Sequence, residues 1–287
     1  MIVSCQGLEL SEALLRVSKA ISNKIANPIL EGIKIIAEDD TLTMSATDTE
    51  LTIEKKIRAE VKQEGETVVP GRFITEFVKK LTSTTIQLEV NDKNQLIIKY
   101  DDSESVIQCY NPVEYPGFKN VESKEYFGIT QKDFKTCVNK SLFSVATDDS
   151  RPILKGVLFD IDGNELNVVA LDGYRLARVK KSIKSDIKKS IVVPSRSLNE
   201  LSKMIEDSDD IINIYIGQYT IMADIGDTKV TSRLLEGDYI NYKQIIPVNF
   251  ETFVIANKEQ FEQALERATL LLRVNSNNFV KFDVKEN

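Results

Sequence analysis

The chain repeats itself. "PILEGI" begins at Pro28 and "PILKGV" at Pro152, 124 residues further on. The same spacing of 124 separates Pro70 of "VVPGRF" from Pro194 of "VVPSRS", and Asp48 of "SATDTELT" from Asp172 of "ALDGYRLA". It also separates "EYPGF" (114–118) from "DYINY" (238–242). Four matches in one ungapped register mark an internal duplication, so the fold must accommodate one module built at least twice. A third copy opens near residue 250. There "FVIANKEQFEQAL" (253–265) parallels "YFGITQKDFKTCV" (126–138), and "VKFDV" (280–284) parallels "VLFDI" (157–161). About the first third of that copy is present, so the chain is expected to stop inside its last domain. The expected domains are therefore 1–122, 123–248 and an incomplete 249–287.

Within one copy the hydrophobic period alternates between helix and strand. "LSEALLRVSKAI" (10–21) sets Leu10, Leu14, Val17 and Ile21 on one helical face. Residues 33–57 read as three short strands with polar turns, and "ETVVP" as a fourth. "RFITEFVKKL" (72–81) predicts a second amphipathic helix, with Phe73, Phe77 and Leu81 on its apolar side. "TIQLEV", "QLIIKY" and "SVIQCY" are three more strands. Each copy thus reads as β-α-β-β-β written twice. The fold class is α+β, with helices on one side and antiparallel sheets on the other.

Composition removes several function classes. The chain has no histidine, which excludes Ser-His-Asp and Cys-His catalysis and histidine-based zinc sites. No GxxxxGK[ST] or GxGxxG loop is present to cradle a phosphate. Cys5, Cys109 and Cys137 are scattered without CxxC spacing, which fits reduced thiols in a cytoplasmic protein. The N-terminus carries no signal-peptide pattern, and no apolar run reaches the roughly 18–20 residues that span a bilayer. The net charge of −7 argues against a uniformly basic nucleic-acid binder but permits a positive surface on an acidic body.

Two motifs invite chemistry. "FDIDGNE" (159–165) resembles a phosphatase nucleophile loop through Asp160 and Asp162, or a calcium loop. The duplication favours a hairpin turn, because Asp160 lies opposite Ile36 while the recurring property is a polar turn. In "ALDGYRLA", Asp172 and Leu176 recur as Asp48 and Leu51, which fits a local Asx-type bond and core packing. Gly173, Tyr174 and Arg175 belong to the second copy alone, and this is where function enters a repeated frame. Basic residues recur on helices and helix entrances. Arg72 and Arg196 lie one repeat apart, each two residues after a strand-ending proline. Helices aimed alike would gather that charge on one surface, suited to loose phosphate contact.

Taken in order, "NPILEGIKI", "VVPGRF", "SRPILKGVLFDI", "ALDGYRLA" and "LLEGDYINYKQIIP" closely resemble the bacterial DNA polymerase III β subunit, the sliding clamp family. The resemblance runs over the whole chain. It implies tandem DNA-clamp domains and a head-to-tail homodimer closed into a ring around duplex DNA, bound without regard to sequence. It also implies a processivity factor of DNA replication that performs no catalysis and needs no cofactor or metal. The replicative DNA polymerase, an ATP-driven clamp loader and other clamp-binding proteins are the implied partners, and the nucleoid in the cytoplasm the implied location. The family's peptide-binding pocket maps onto Leu154, Leu171, Gly173, Tyr174, Arg175, Leu176, Ile240, Gln244 and Ile245. The family's DNA-binding positions map onto Lys24, Arg72, Arg151 and Arg196. The chain departs from the family pattern at Ile240, where proline is usual, and at Gln244, where arginine is frequent. Pro152 and Ile153 stand where some members carry tyrosines. With its last domain incomplete, this polypeptide is expected not to close a stable ring, and strand 279–284 to leave an exposed edge. The rival readings are an aspartate-dependent phosphatase and a repeat scaffold that binds proteins but no nucleic acid.

Overall fold

A computed structural model describes residues 1–21, 27–81, 85–117, 121, 123, 125–272 and 280–285. The first module runs β1 (Ile2–Gln6), α1 (Gly7–Val17), β2 (Gly32–Glu38), β3 (Thr41–Thr47), β4 (Leu51–Arg58) and β5 (Glu60–Gln63). It continues with β6 (Gly65–Pro70), α2 (Gly71–Val78), β7 (Thr85–Val90), β8 (Gln95–Tyr100) and β9 (Ser103–Gln108). The second module runs β10 (Tyr126–Thr130), α3 (Gln131–Asn139), β11 (Gly156–Asp162), β12 (Glu165–Leu171) and β13 (Leu176–Ser182). It ends with β14 (Lys188–Pro194), α4 (Ser195–Met204), β15 (Ile211–Ile216), β16 (Thr220–Ile225) and β17 (Thr228–Arg233). The starts of β1 and β10, α1 and α3, β2 and β11, β3 and β12, and α2 and α4 all keep the spacing of 124. β4 starts one residue early for that spacing because Leu51 also pairs with Ser232 of β17, while the closing pairs Thr47↔Thr52 and Leu171↔Leu176 keep 124.

The two halves of each module exchange their first strands. β6 joins the meander β2–β3–β4, and β1 joins β7–β8–β9, all pairs being antiparallel. The second module repeats this, with β14 beside β11 and β10 beside β15. Neither half therefore has a complete sheet of its own, which makes the module the smallest unit with a closed core. Alternation does the packing. Val3 and Cys5 of β1 and Ile33, Ile35 and Ala37 of β2 point inward, beneath Leu10, Leu14 and Val17 of α1. α1 packs on α2 and α3 on α4. Thr130 caps α3, its Oγ1 accepting from the Asp133 amide at 3.1 Å.

The modules are welded edge to edge. β17 pairs with β4 from Thr228↔Lys55 to Ser232↔Leu51, producing one eight-stranded sheet, β10-β15-β16-β17-β4-β3-β2-β6. Residues Met1–Ile240 accordingly form one compact unit with one continuous apolar core. Lys55 bonds Asp227 at 2.5 Å across this seam. The second unit, Asn241–Asn287, holds a short helix α5 (Tyr242–Ile245) and α6 (Lys258–Leu272), which Asn257 caps through Oδ1 and the Gln260 amide at 3.1 Å.

Two sequence expectations are corrected, and one strand was not foreseen. α2 ends at Val78 and buries Ile74, Thr75 and Val78, while Phe73 is 54% exposed and stacks on Phe77 at 5.8 Å. β5 was not legible, since its alternation is polar and its pairing with β1 is non-local. The expected strand 279–284 is not formed over residues 280–284, and residue 279 lies outside the described residues. A strand needs a neighbour to take its hydrogen bonds. Its counterpart β11 sits between β12 and β14, whereas no pairing partner exists among the described residues of the second unit. There Phe282 stacks on Phe261 of α6 instead, at 5.7 Å.

Candidate functional site

The "FDIDGNE" segment is a hairpin. Asp162 pairs with Glu165, and Gly163 takes φ 58 in the two-residue turn between β11 and β12. The first module makes the same turn with Asp39 and Asp40 at φ 47 and 53. Asp160 accepts from Ser190 at 2.7 Å, and Asp162 pairs with Lys188 at 3.2 Å. Both acids thus act as cross-strand partners. Among the described residues no group of three or more acids or cysteines is placed to hold a metal. No helix among them is long and apolar enough to cross a membrane.

The "ALDGYRLA" loop is held by its aspartate. Asp172 Oδ1 accepts from the amides of Tyr174 at 2.9 Å and Arg175 at 3.0 Å. Its Oδ2 accepts from Arg175 Nε at 2.9 Å. The two amide bonds, then the arginine, hold the carboxyl below the usual aspartate range. Gly173 sits at φ 96 with open space where a Cβ would be. Tyr174, which stands where the first module has Glu50, is fully exposed. The Arg175 guanidinium lies 5.9 Å from the ring centre of Phe143, which is itself 60% exposed.

Beneath this loop lies an apolar cluster separate from the main core. Ala146, Leu154 and Leu171 are buried in it, with Ile153, Leu176, Tyr239 and Ile240 half-buried against them. Burying Leu154 and Leu171 stabilises the fold by about 1.5–3 kcal/mol each. Tyr239 donates its hydroxyl to the Val169 carbonyl at 3.4 Å, and burial pushes the phenol up to about 12. Four of the expected pocket residues, Leu154, Leu171, Leu176 and Ile240, therefore come together. Ala146, Ile153, Tyr239 and Phe143 join them without having been singled out. Ile153 and Tyr239 are each adjacent to an expected residue, and Tyr239 repeats Tyr115, whose hydroxyl donates to the Gly32 carbonyl at 3.1 Å. Phe143 had no sequence signal. Gln244 and Ile245 lie on α5 in the second unit, both exposed.

The first module differs at this place. Leu171 is replaced by Thr47, whose Oγ1 donates to the Leu51 carbonyl at 3.1 Å and shares a 2.8 Å bond with Thr52. A cluster of Ile29, Val68 and Tyr115, flanked by Leu30 and Tyr110, packs nearby. Asp48 keeps the frame, accepting from the amides of Glu50 at 3.1 Å and Leu51 at 2.9 Å.

Of the expected DNA contacts, Lys24 lies outside the described residues. Arg72 and Arg196 occupy the second position of α2 and α4 and are exposed. A cation there opposes the helix dipole, so it requires a nearby anion to be favourable. Arg196 has one in Asp48, whose Oδ2 accepts from its Nη1 across the module seam. Arg151 is exposed beside the acidic loop of Asp148 and Asp149.

A duplicated α+β frame with exchanged strands, two modules joined in one sheet and an apolar cluster under an exposed loop is the architecture of a ring-forming or scaffold class of protein. Comparison with known proteins places it more closely. The profile for the DNA polymerase III beta subunit, N-terminal domain, matches residues 1–119, and that for the central domain matches residues 128–241. The beta sliding clamp of Bacillus subtilis (strain 168) is 34% identical over 286 residues, covering 96% of this chain and 76% of that protein. The crystal structure of the Bacillus subtilis DNA polymerase sliding clamp superposes with a TM-score of 0.93 at 33% identity, over 97% of this chain and 76% of that one. A Pseudomonas aeruginosa sliding clamp bound to griselimycin superposes at 0.88 with 25% identity, over 94% and 74% of the two chains. The chain belongs to the DNA polymerase III β subunit family, the non-catalytic sliding clamps of DNA replication.

Proposed function

We propose that this protein encircles duplex DNA and presents the Leu154–Leu171 slot to short peptides of the replicative polymerase and other clamp-binding proteins. The observation that carries this reading is the apolar cluster of Leu154, Leu171, Leu176 and Ile240 beneath a loop whose Gly173, Tyr174 and Arg175 the first module does not share. A leucine side chain entering between Leu154, Leu171, Leu176 and Ile240 gains its transfer free energy. Gly173 leaves room for a backbone beside it, and Tyr174 with the Phe143-stacked Arg175 forms a rim. Gln244 and Ile245, exposed on α5, are the family-implied peptide contacts of the second unit. The domains run 1–122, 123–248 and from 249, and two subunits join head to tail. An ATP-driven loader opens the ring on DNA at the nucleoid.

Lys24, Arg72, Arg151 and Arg196 contact phosphate. Helix N-termini favour anions, so Arg72 and Arg196 on the first turns of α2 and α4 stand where a phosphate is doubly attracted. Contacts of this kind carry no base information and exchange quickly, which suits a ring held by topology. Fluorescence anisotropy with a pentapeptide containing one glutamine and two leucines tests the slot. Saturable binding weakened about tenfold by Leu171→Thr, which installs the first module's residue, is expected. Equal binding by both proteins would refute the assignment.

A further inference from the structure

The weld between the modules creates a second recess. On the sheet face turned away from α1, at the seam of β16, β17 and β4, lies an open cavity of about 260 Å³. Its floor is the cross-strand row Thr52, Thr231 and Met222. Thr47 and Pro116, also in its lining, stand 124 residues before Leu171 and Ile240. The cavity is therefore the first module's version of the apolar slot, with its far wall supplied by the second module.

Its chemistry is different. Threonine replaces leucine, so hydroxyl groups line what is greasy in the second module. Four charged residues face it: Glu50, Glu54, Lys229 and Arg233. Glu54 is the cross-strand neighbour of Lys229, and their charges offset each other. Arg233 is exposed, and among the described residues its guanidinium has no side-chain partner. Glu50 at the rim disfavours a polyanion, which leaves room for a single carboxylate. Thr49, also on the rim, is β-branched yet holds φ 79. That backbone is strained for a β-branched residue and persists where the surroundings require it. Gly173 takes the equivalent conformation in the second module freely.

We propose that this cavity is a second peptide site, taking a short extended segment in which one acidic residue is flanked by small hydroxyl-bearing residues. Arg233 pairs with the carboxylate, and Thr52 and Thr231 hydrogen-bond the neighbours. The proposal rests on the peptide reading of the Leu154–Leu171 slot, from which it borrows the repeat relation.

Two fluorescent probes separate the sites: the blocked pentapeptide STDSL, and the glutamine- and leucine-containing peptide. Both are titrated against the full chain and against Arg233→Glu, Thr231→Tyr and Leu171→Thr, each checked for an unchanged circular dichroism spectrum. The acidic probe is expected to bind saturably at millimolar concentration, to weaken about tenfold or more in Arg233→Glu and Thr231→Tyr, and to ignore Leu171→Thr. No saturable binding, indifference to both cavity variants, or sensitivity to Leu171→Thr would overturn the proposal. Failure of the glutamine–leucine probe alone counts against the apolar slot and leaves the acidic result to be judged by its own variants.

Discussion

The ion pair between Asp48 and Arg196 joins the modules, and its two ends are not equivalent. Asp48 has only 8% of its side chain exposed and accepts three bonds, from the Glu50 amide at 3.1 Å, the Leu51 amide at 2.9 Å and Arg196. Arg196 has 43% of its side chain exposed and can turn to water once released. Arg196→Ala therefore removes one charge-assisted bond and leaves the carboxylate with two donors, a cost of about 1 kcal/mol. Asp48→Ala strands two turn amides as well and costs about 3 kcal/mol. The double variant should match Asp48→Ala, which gives a coupling energy of about 1 kcal/mol. Urea unfolding of the four proteins, with slopes compared to confirm two-state behaviour, measures this cycle. If Arg196→Ala costs as much as Asp48→Ala, or the two losses simply add, the seam is not held in the way described.

Two further outcomes follow from the turns. Thr49→Gly relieves a threonine at φ 79 and should raise stability by about 1 kcal/mol after the added chain entropy of glycine is deducted, read from the urea midpoint. Asp172 has its carboxyl lowered from 3.8 by the Tyr174 and Arg175 amides and then by the Arg175 side chain, so the order it gives the loop is fully present above that ordinary value and lost as pH falls through the lower folded one. The Tyr174 amide resonance should report that transition in acid, and Asp172→Asn should abolish it.

Much of the frame was legible because its signals are local. Pro70 and Pro194 end strands and start helices, and Leu10, Leu14 and Val17 mark a helical face, wherever the rest of the chain lies. The Asx role of Asp48 and Asp172 could likewise be read from spacing. What escaped reading depends on contacts between distant segments. The polar strand β5 gives no alternating signal, and the pairing of β17 with β4 joins residues far apart in sequence. Phe73 has the right residue type for a core but the wrong angular position on α2, where Ile74 and Val78 take the buried face. The family resemblance implies Arg196 as a DNA contact, while its bond to Asp48 depends on the weld between modules. Leu154 and Leu171 are singled out by the family resemblance, and they share one apolar cluster. Phe143 was not legible, because a lone aromatic in a short turn shows its partner only once Arg175 is placed.

The proposed apolar peptide slot belongs to the second module, on a frame both modules share. Backbone amide shift mapping of the full chain with the glutamine- and leucine-containing peptide tests it most directly. One contiguous patch is expected over Ala146, Leu154, Leu171, Gly173 to Leu176, Tyr239 and Ile240. Shifts centred on Thr47 to Thr52, spread equally over both modules, or absent at saturating peptide would contradict it.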